Sequence, residues 1–218
     1  LKQEKKYLHY YMIKKDSLVS GIGNQVKTKL YYDNWSNDYD STLESWNYKI
    51  PMKSSQLVKE NLQIVPKRIL DLACGTGLFG SELKKIYKKS VVYGSDISNL
   101  SLKMARKKNI YNELRCVSFE KKIKYNFKFD LISLIGSMTY AKNLEKLFNN
   151  VLFNLKKSGL FIFSHRVDLW KKNNFDNVLL NYSQNFKLIH KSRPILYLPL
   201  NNDFGNKIKV RIVLLQRN

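Results

Sequence analysis

The clearest chemical pattern in this sequence is Gly75-Thr76-Gly77-Leu78-Phe79-Gly80, a G-x-G-x-x-G run. It follows a short apolar segment, Arg68-Ile69-Leu70-Asp71-Leu72, and opens a stretch whose apolar residues recur at helical spacing (Leu78, Phe79, Leu83, Ile86, Tyr87). Asp96 stands at the end of the next apolar run, Val91-Val92-Tyr93-Gly94-Ser95. Glycines in such a turn let a ligand approach the backbone, and a carboxylate at the next strand end accepts hydrogen bonds from ribose hydroxyls. The pattern in this strand–turn–helix setting points to an adenosine-bearing cofactor.

Asp71 discriminates between cofactors. A dinucleotide would set its pyrophosphate at the helix N-terminus, where a carboxylate at Asp71 repels it. S-adenosylmethionine has no phosphate and carries an ammonium and a sulfonium cation, which a carboxylate in this loop helps to hold. The charge sign at Asp71 therefore favours S-adenosylmethionine, with S-adenosylhomocysteine as product, over a nicotinamide dinucleotide. Lys is absent from residues 69–83, 90–102 and 129–141, but 173–186 and 194–206 also lack basic residues, so this adds little.

The elements that must position these residues alternate. Strands are expected at 68–72, 91–95, 114–117, 129–135 and 159–164, with helices over 52–63, 78–88, 98–108, 143–155 and 168–180. Phe186 to His190 with Arg193 to Leu198, and Ile208 to Leu215, read as final strands joined through the turn at Asp203-Phe204-Gly205-Asn206. The fold class is α/β: a doubly wound seven-stranded sheet, mostly parallel, with an antiparallel C-terminal strand. Residues 1–50 are expected to form an N-terminal helical arm and cofactor lid, and 51–218 the Rossmann-like domain. Within the arm, 30–48 stands apart: it has no Lys or Arg, but holds Asp33, Asp38, Asp40, Glu44 and several aromatic residues.

Composition bounds the rest. The 218 residues, 44% hydrophobic, suffice for a packed core. Lys and Arg number 39 against 17 Asp and Glu, a formal charge of +22, which suits a nucleic-acid partner or a genome-wide composition bias equally well. Two cysteines and three scattered histidines argue against a disulfide scaffold and a metal centre. No apolar run reaches the ~20 residues of a membrane span. The expected compartment is cytoplasmic; an organellar address stays open, because the chain begins at Leu1 rather than Met. Oligomeric state is not legible.

Arg68 to Gly77 resembles motif I of the class I S-adenosylmethionine-dependent methyltransferases, and Gly94-Ser95-Asp96-Ile97-Ser98 resembles their ribose-binding motif. Phe129-Asp130-Leu131-Ile132 resembles the fourth-strand motif, and Leu155-Lys-Lys-Ser158-Gly159-Leu-Phe the turn before strand five, with Ser158 where Pro or Gly is usual. The lead-in Tyr32-Asp33-Asn34-Trp35-Ser-Asn-Asp-Tyr39-Asp40, with Ala105 to Tyr111, is similar to the methyltransferase-like proteins of the Williams–Beuren syndrome region. The resemblance implies cofactor contacts from Asp71, Ala73, Cys74, Gly75, Thr76 and Gly77. It implies that Asp96 and Ile97 hold ribose and adenine, that Ser118 and Phe119 flank the adenine, and that Gly136 and Met138 lie near the methionine moiety. Tyr32, Trp35 and Tyr39 would close over the site, the alternative being that they only pack the N-terminal helix.

Methyl transfer needs chiefly proximity and alignment, and a base only where the acceptor loses a proton. Candidates at strand ends are His165 as base, Arg166 as a clamp for an acidic substrate, and Tyr140 after strand four; a structural role for His165 is an equal alternative. The segment Gly136-Ser137-Met138-Thr139-Tyr140 lacks the Pro pair of amino-methylating nucleic-acid enzymes. A small-molecule or protein acceptor is therefore expected, with RNA or another nucleic acid, or a non-catalytic cofactor-binding subunit, as alternatives.

Overall fold

The computed structural model describes residues 24–62 and 64–218. Of the expected N-terminal arm, residues 1–23 lie outside the described residues. The sheet order is β3-β2-β1-β4-β5-β8-β6, where β1 is Arg68–Leu72, β2 Val91–Asp96, β3 Tyr111–Cys116, β4 Phe129–Leu134, β5 Leu155–Arg166, β6 Phe186–Lys191 and β8 Lys209–Arg217. β1 to β5 pair in parallel, and β8 runs antiparallel to both β5 and β6. An eighth strand, the two-residue β7 (Ile195–Leu196), pairs with β8 off this path. The mostly parallel sheet with its antiparallel C-terminal strand matches the expected class. The order reverses between β1 and β4, and such a reversal opens the crevice in which doubly wound folds hold their ligands.

Helices cover both faces. Ahead of the sheet lie α1 (Gln25–Trp35), α2 (Tyr39–Ser45) and α3 (Ile50–Asn61), the last with Pro51 in its first turn, where a missing N–H costs nothing. α4 (Leu78–Ile86) follows β1 and α5 (Asn99–Lys107) follows β2. Ser98 caps α5 by accepting from the Ser101 N–H, and Asn143 caps α6 (Leu144–Asn154) in the same way. One core packs Leu83, Phe79, Val58 and Ile50 of the α3–α4 layer against Ile69, Leu131 and Ile162. The other packs Phe148 and Val151 of α6 against Ile132, Phe161 and Phe163.

Several boundaries differ from the sequence reading. β3 begins at Tyr111 rather than 114, bringing Tyr111 to the glycine turn. β5 reaches back to Leu155, with Ser158 in the left-handed region (φ 59°), and forward to Arg166. The forward extension exists because β8 continues alongside, pairing His165 with Arg211 and Arg166 with Val210. The helix expected over 168–180 is two, α7 (Val167–Lys172) and α8 (Phe175–Asn181), broken where Asn174 turns left-handed (φ 46°). Asn tolerates that conformation better than other non-glycine residues.

Candidate cofactor and methyl-transfer site

The turn after β1 reverses the chain tightly. Ala73, Gly75 and Gly77 all have positive φ (49°, 55° and 91°). For Gly75 the reason is visible: no atom lies within 4 Å of where its Cβ would stand, so the backbone faces open cavity. Gly80 is glycine for another reason, since a Cβ there would lie 2.3 Å from the Tyr111 hydroxyl.

Two buried carboxylates flank the turn. Asp71, 1% exposed, accepts from the Ser133 hydroxyl at 2.7 Å and the Tyr111 hydroxyl at 2.8 Å. Asp96, 9% exposed, accepts from the Gly75 N–H at 2.9 Å and the Ser98 N–H at 2.8 Å, tying the two strand-end loops together. Burial pushes each carboxyl up to about 6, against hydrogen bonds that pull the other way. Desolvated carboxylates with no basic side chain hydrogen-bonded to them favour a bound cation.

The lead-in helices dock on these loops through their own acids. Asp33 accepts from the Ser98 hydroxyl at 2.6 Å and from Lys29 at 2.5 Å. Asp40 accepts from the Thr76 hydroxyl at 2.5 Å and from Lys108 at 2.6 Å. Trp35 is 1% exposed and packs edge-on against Tyr39 (4.6 Å) and near Trp46 (5.6 Å), in a cluster with Leu43, Leu198 and Phe204.

Under these helices lies a cavity open to solvent. Asp71, Ala73, Cys74, Gly75, Thr76, Asp96, Ile97 and Phe119 line it, as do Tyr32, Tyr39 and Tyr140. Seven other sequence-selected residues, His165 among them, do not. Trp35 is buried in the core of the lead-in helices. Gly77 heads α4. Ser118 accepts from Gln25, Gly136 donates its N–H to Ser164, Met138 is buried, and Arg166 pairs with Asp168 at 2.6 Å. Their neighbours Val117, Ile135 and Ser137 line the cavity instead. Cys74 is buried, and desolvation pushes its thiol well up, away from reactivity.

His165 is revised. Alternation along β5 sends His165, with Phe161 and Phe163, toward α7 and α8, the face opposite Ile162 and Ser164. Its ring lies 4.7 Å from Phe175 and 6.0 Å from Trp170; neither nitrogen has a hydrogen-bond partner among the described residues. Burial lowers its pKa to about 4. It does not line the cavity.

Among the residues that sequence reasoning missed are Tyr48, which lines the cavity, and Tyr111, which bonds Asp71. Tyr48 had a signal, since it ends the Lys- and Arg-free run 30–48. Tyr111 had none, because its role depends on where β3 starts.

Fold and site together define the Rossmann-like methyltransferase class. The chain belongs to the methyltransferase domain family, whose pattern matches residues 66–207. Malonyl-[acyl-carrier protein] O-methyltransferase of Legionella pneumophila is 31% identical over 106 residues, covering 47% of this chain and 37% of the relative. Human methyltransferase-like protein 27, from the group that the lead-in motif resembles, is 28% identical over 123 residues, covering 55% of this chain and 50% of the relative. The matches thus span half or less of these relatives. Among solved structures, a TehB-like S-adenosylmethionine-dependent methyltransferase from Corynebacterium glutamicum superposes with a TM-score of 0.64 at 16% identity, over 87% of this chain and 99% of that one. The N-methyltransferase NodS from Bradyrhizobium japonicum, solved with S-adenosylhomocysteine, gives 0.57 at 14%, over 76% and 85%. At such identities these likenesses speak for the fold.

Among the described residues no group of His, Cys, Asp and Glu could hold a metal ion, and no helix is long and apolar enough to cross a membrane.

Proposed function

We propose that this chain is an S-adenosylmethionine-dependent methyltransferase that transfers a methyl group in line to a small-molecule or protein acceptor. The observation that carries it is the pair of buried carboxylates, Asp71 and Asp96, on either side of an open glycine turn, in one lidded cavity. The residues fit this cofactor. Asp96 would take the ribose hydroxyls, with Ile97 and Phe119 beside the adenine. Asp71 sets the negative potential that an ammonium needs, and the space at Gly75 admits a ligand against the backbone. When bound, the cofactor supplies a methyl carbon already activated by a sulfonium leaving group.

What remains for the protein is orientation and the exclusion of water. Tyr32 and Tyr39 on the lid helices, and Tyr140 after β4, wall the cavity, and the Tyr32 and Tyr140 hydroxyls bond at 2.8 Å. Tyr140 is thereby a wall residue held by the lid rather than a ring free to stack on an extruded base, which disfavours a nucleic-acid acceptor. Arg166 lies behind this wall. Relatives named for their acceptors include a malonyl-[acyl-carrier protein] O-methyltransferase and a release factor glutamine methyltransferase.

Calorimetric titration with S-adenosylmethionine, S-adenosylhomocysteine and NAD tests the reading. It expects micromolar binding of the first two and none of NAD. Binding of NAD alone, or of none of the three, overturns it.

A further inference from the structure

The end of the sheet away from the cavity carries a different chemistry. α3 and α4 both finish there, each shortly before a strand begins, and the two connections are tied together. The Ser90 hydroxyl donates to the Pro66 carbonyl at 2.5 Å, and the Val91 N–H to the Lys67 carbonyl at 2.9 Å. Lys84 reaches from α4 to the carbonyls of Lys88 (2.8 Å) and Ser90 (2.9 Å), which fixes the second connection. On this frame two neighbouring aliphatic side chains face water, Ile64 at 77% and Val65 at 60% exposed; Val91, bonded to the same loop, is 39% exposed. Turns ordinarily carry polar residues, and an adjacent aliphatic pair held in water costs hydration free energy that a covering partner recovers.

Lys67, Lys88 and Lys89 lie on the same two connections, all exposed. Lys59, Lys84 and Lys85 stand in the last turns of α3 and α4, where a cation meets the negative end of its own helix. That local role does not extend to Lys67, Lys88 and Lys89, which belong to no helix. Carboxylates at this end are largely engaged: Glu82 pairs with Lys85 at 2.5 Å and Asp130 with Lys156 at 2.6 Å, while the exposed Glu60 offsets one lysine.

A partner for this surface must be anionic and must accept aliphatic side chains. Nucleic acid meets only the first need, because single strands stack on aromatic rings or Arg planes, and Arg68 here lies over the Phe127 ring at 4.4 Å. Three aliphatic side chains are too few for the ~800 Å² per partner of a standard protein interface. A bilayer with anionic lipids meets both needs at once.

We propose that this end of the sheet docks on an anionic lipid bilayer, with Ile64 and Val65 entering the headgroup boundary and Lys67, Lys88 and Lys89 meeting the lipid charges. The contact is peripheral and requires no spanning helix. Asp71 and Asp96 lie toward the other ends of β1 and β2, so docking leaves the cavity facing water. The inference stands apart from the methyltransferase reading and survives its failure.

The full chain is sedimented with vesicles of phosphatidylcholine and phosphatidylserine in equal parts, and with vesicles of phosphatidylcholine alone. Binding is expected to the mixed vesicles and to be at least about tenfold weaker to phosphatidylcholine. Lys67→Gln/Lys88→Gln/Lys89→Gln should weaken it about 100-fold, near fivefold per lysine. Lys146→Gln/Lys171→Gln/Lys172→Gln removes the same charge from the opposite helix layer and should cost less than about fivefold, because those positions stay beyond screening range of the bilayer. Ile64→Ser/Val65→Ser, with every charge kept, should cost about tenfold. All these side chains are exposed, so each variant should unfold at the parent temperature. Failure of the parent to bind mixed vesicles, or equal losses from the two lysine variants, overturns the proposal. So does a serine variant that binds vesicles like the parent; a single-stranded RNA released by the first lysine variant alone would then give the surface to nucleic acid.

Discussion

The Asp40 carboxylate takes a hydrogen bond from the Thr76 hydroxyl at 2.5 Å and an ion pair from Lys108 at 2.6 Å. Asp40 belongs to the lead-in helices, Thr76 to the glycine turn and Lys108 to the end of α5. One side chain thus fastens the lead-in helices to the loop that would hold the cofactor. Asp40→Ala should weaken S-adenosylmethionine binding about fivefold, near 1 kcal/mol, because Thr76 is buried while Asp40 is 40% exposed and partly screened. Calorimetric titration checks this; unchanged affinity would mean that the fastening does not reach the cofactor.

Asp96 has two tasks, since it would accept from ribose and already accepts from the Gly75 and Ser98 N–H groups. Asp96→Ala should therefore cost at least ~1.5–3 kcal/mol of cofactor affinity, the range for hydrogen bonds to a charged group. A folded Asp96→Ala protein that binds S-adenosylmethionine normally would refute the placement.

Acid should oppose cofactor binding. Asp71 and Asp96 titrate near 6, raised by burial from 3.8, so both neutralise as pH falls from 7 toward 5. Raised carboxylates favour the ligand-free fold below their unfolded value, and that contribution is lost as pH rises through about 6. A bound cation reverses the preference, because it pairs with the ionised forms. The thermal stabilisation by S-adenosylmethionine, measured by calorimetric unfolding, should be full at pH 7.5 and should shrink steadily below pH 6.

His165 bears on stability rather than chemistry. Its pKa near 4 lies below the ordinary 6.5, so stability from this residue is present above pH 6.5 and is lost as pH falls toward 4. Two ring nitrogens without described partners sit among Phe175 and Trp170. His165→Phe should leave cofactor affinity intact and raise stability by about 1 kcal/mol, since a phenyl ring has no polar atoms to desolvate. Loss of cofactor binding in a folded His165→Phe protein would return the residue to the site.

Trp35 anchors the lead-in helices. Trp35→Ala removes its contacts with Tyr39 and Trp46 and should destabilise α1 and α2 by ~3–5 kcal/mol, the cost of truncating a buried aromatic. Hydrogen exchange should accelerate across residues 25–45 and stay slow in β1, β4 and β5. Uniform acceleration would show that lid and sheet unfold as one unit.

Much of the site was legible because it is local. The turn at 73–77, its carboxylates at Asp71 and Asp96 and the Ser98 cap lie within one strand–turn–helix unit or its repeat, where chemistry follows from spacing along the chain. The alternation of strands and helices was readable for the same reason. Tyr32, Trp35 and Tyr39 were selected together, but residues on one short lead-in divide between cavity and core, and only packing against Tyr140, Leu198 and Phe204 separates them. Along β5, adjacent residues point to opposite faces, so His165 and Arg166 could not share a site. Which of them neighbours the cavity depended on the side from which α1 to α3 cover the sheet, a long-range choice. Tyr48 and Tyr111 come from distant segments, and neither lies in the glycine-turn motif. The sequence by itself determined the fold class and the cofactor turn, because those rest on local backbone conformation and periodicity. The tertiary structure alone decided which phenols, which strand-end charge and which acids meet there, because those contacts form only when segments far apart in the chain pack together.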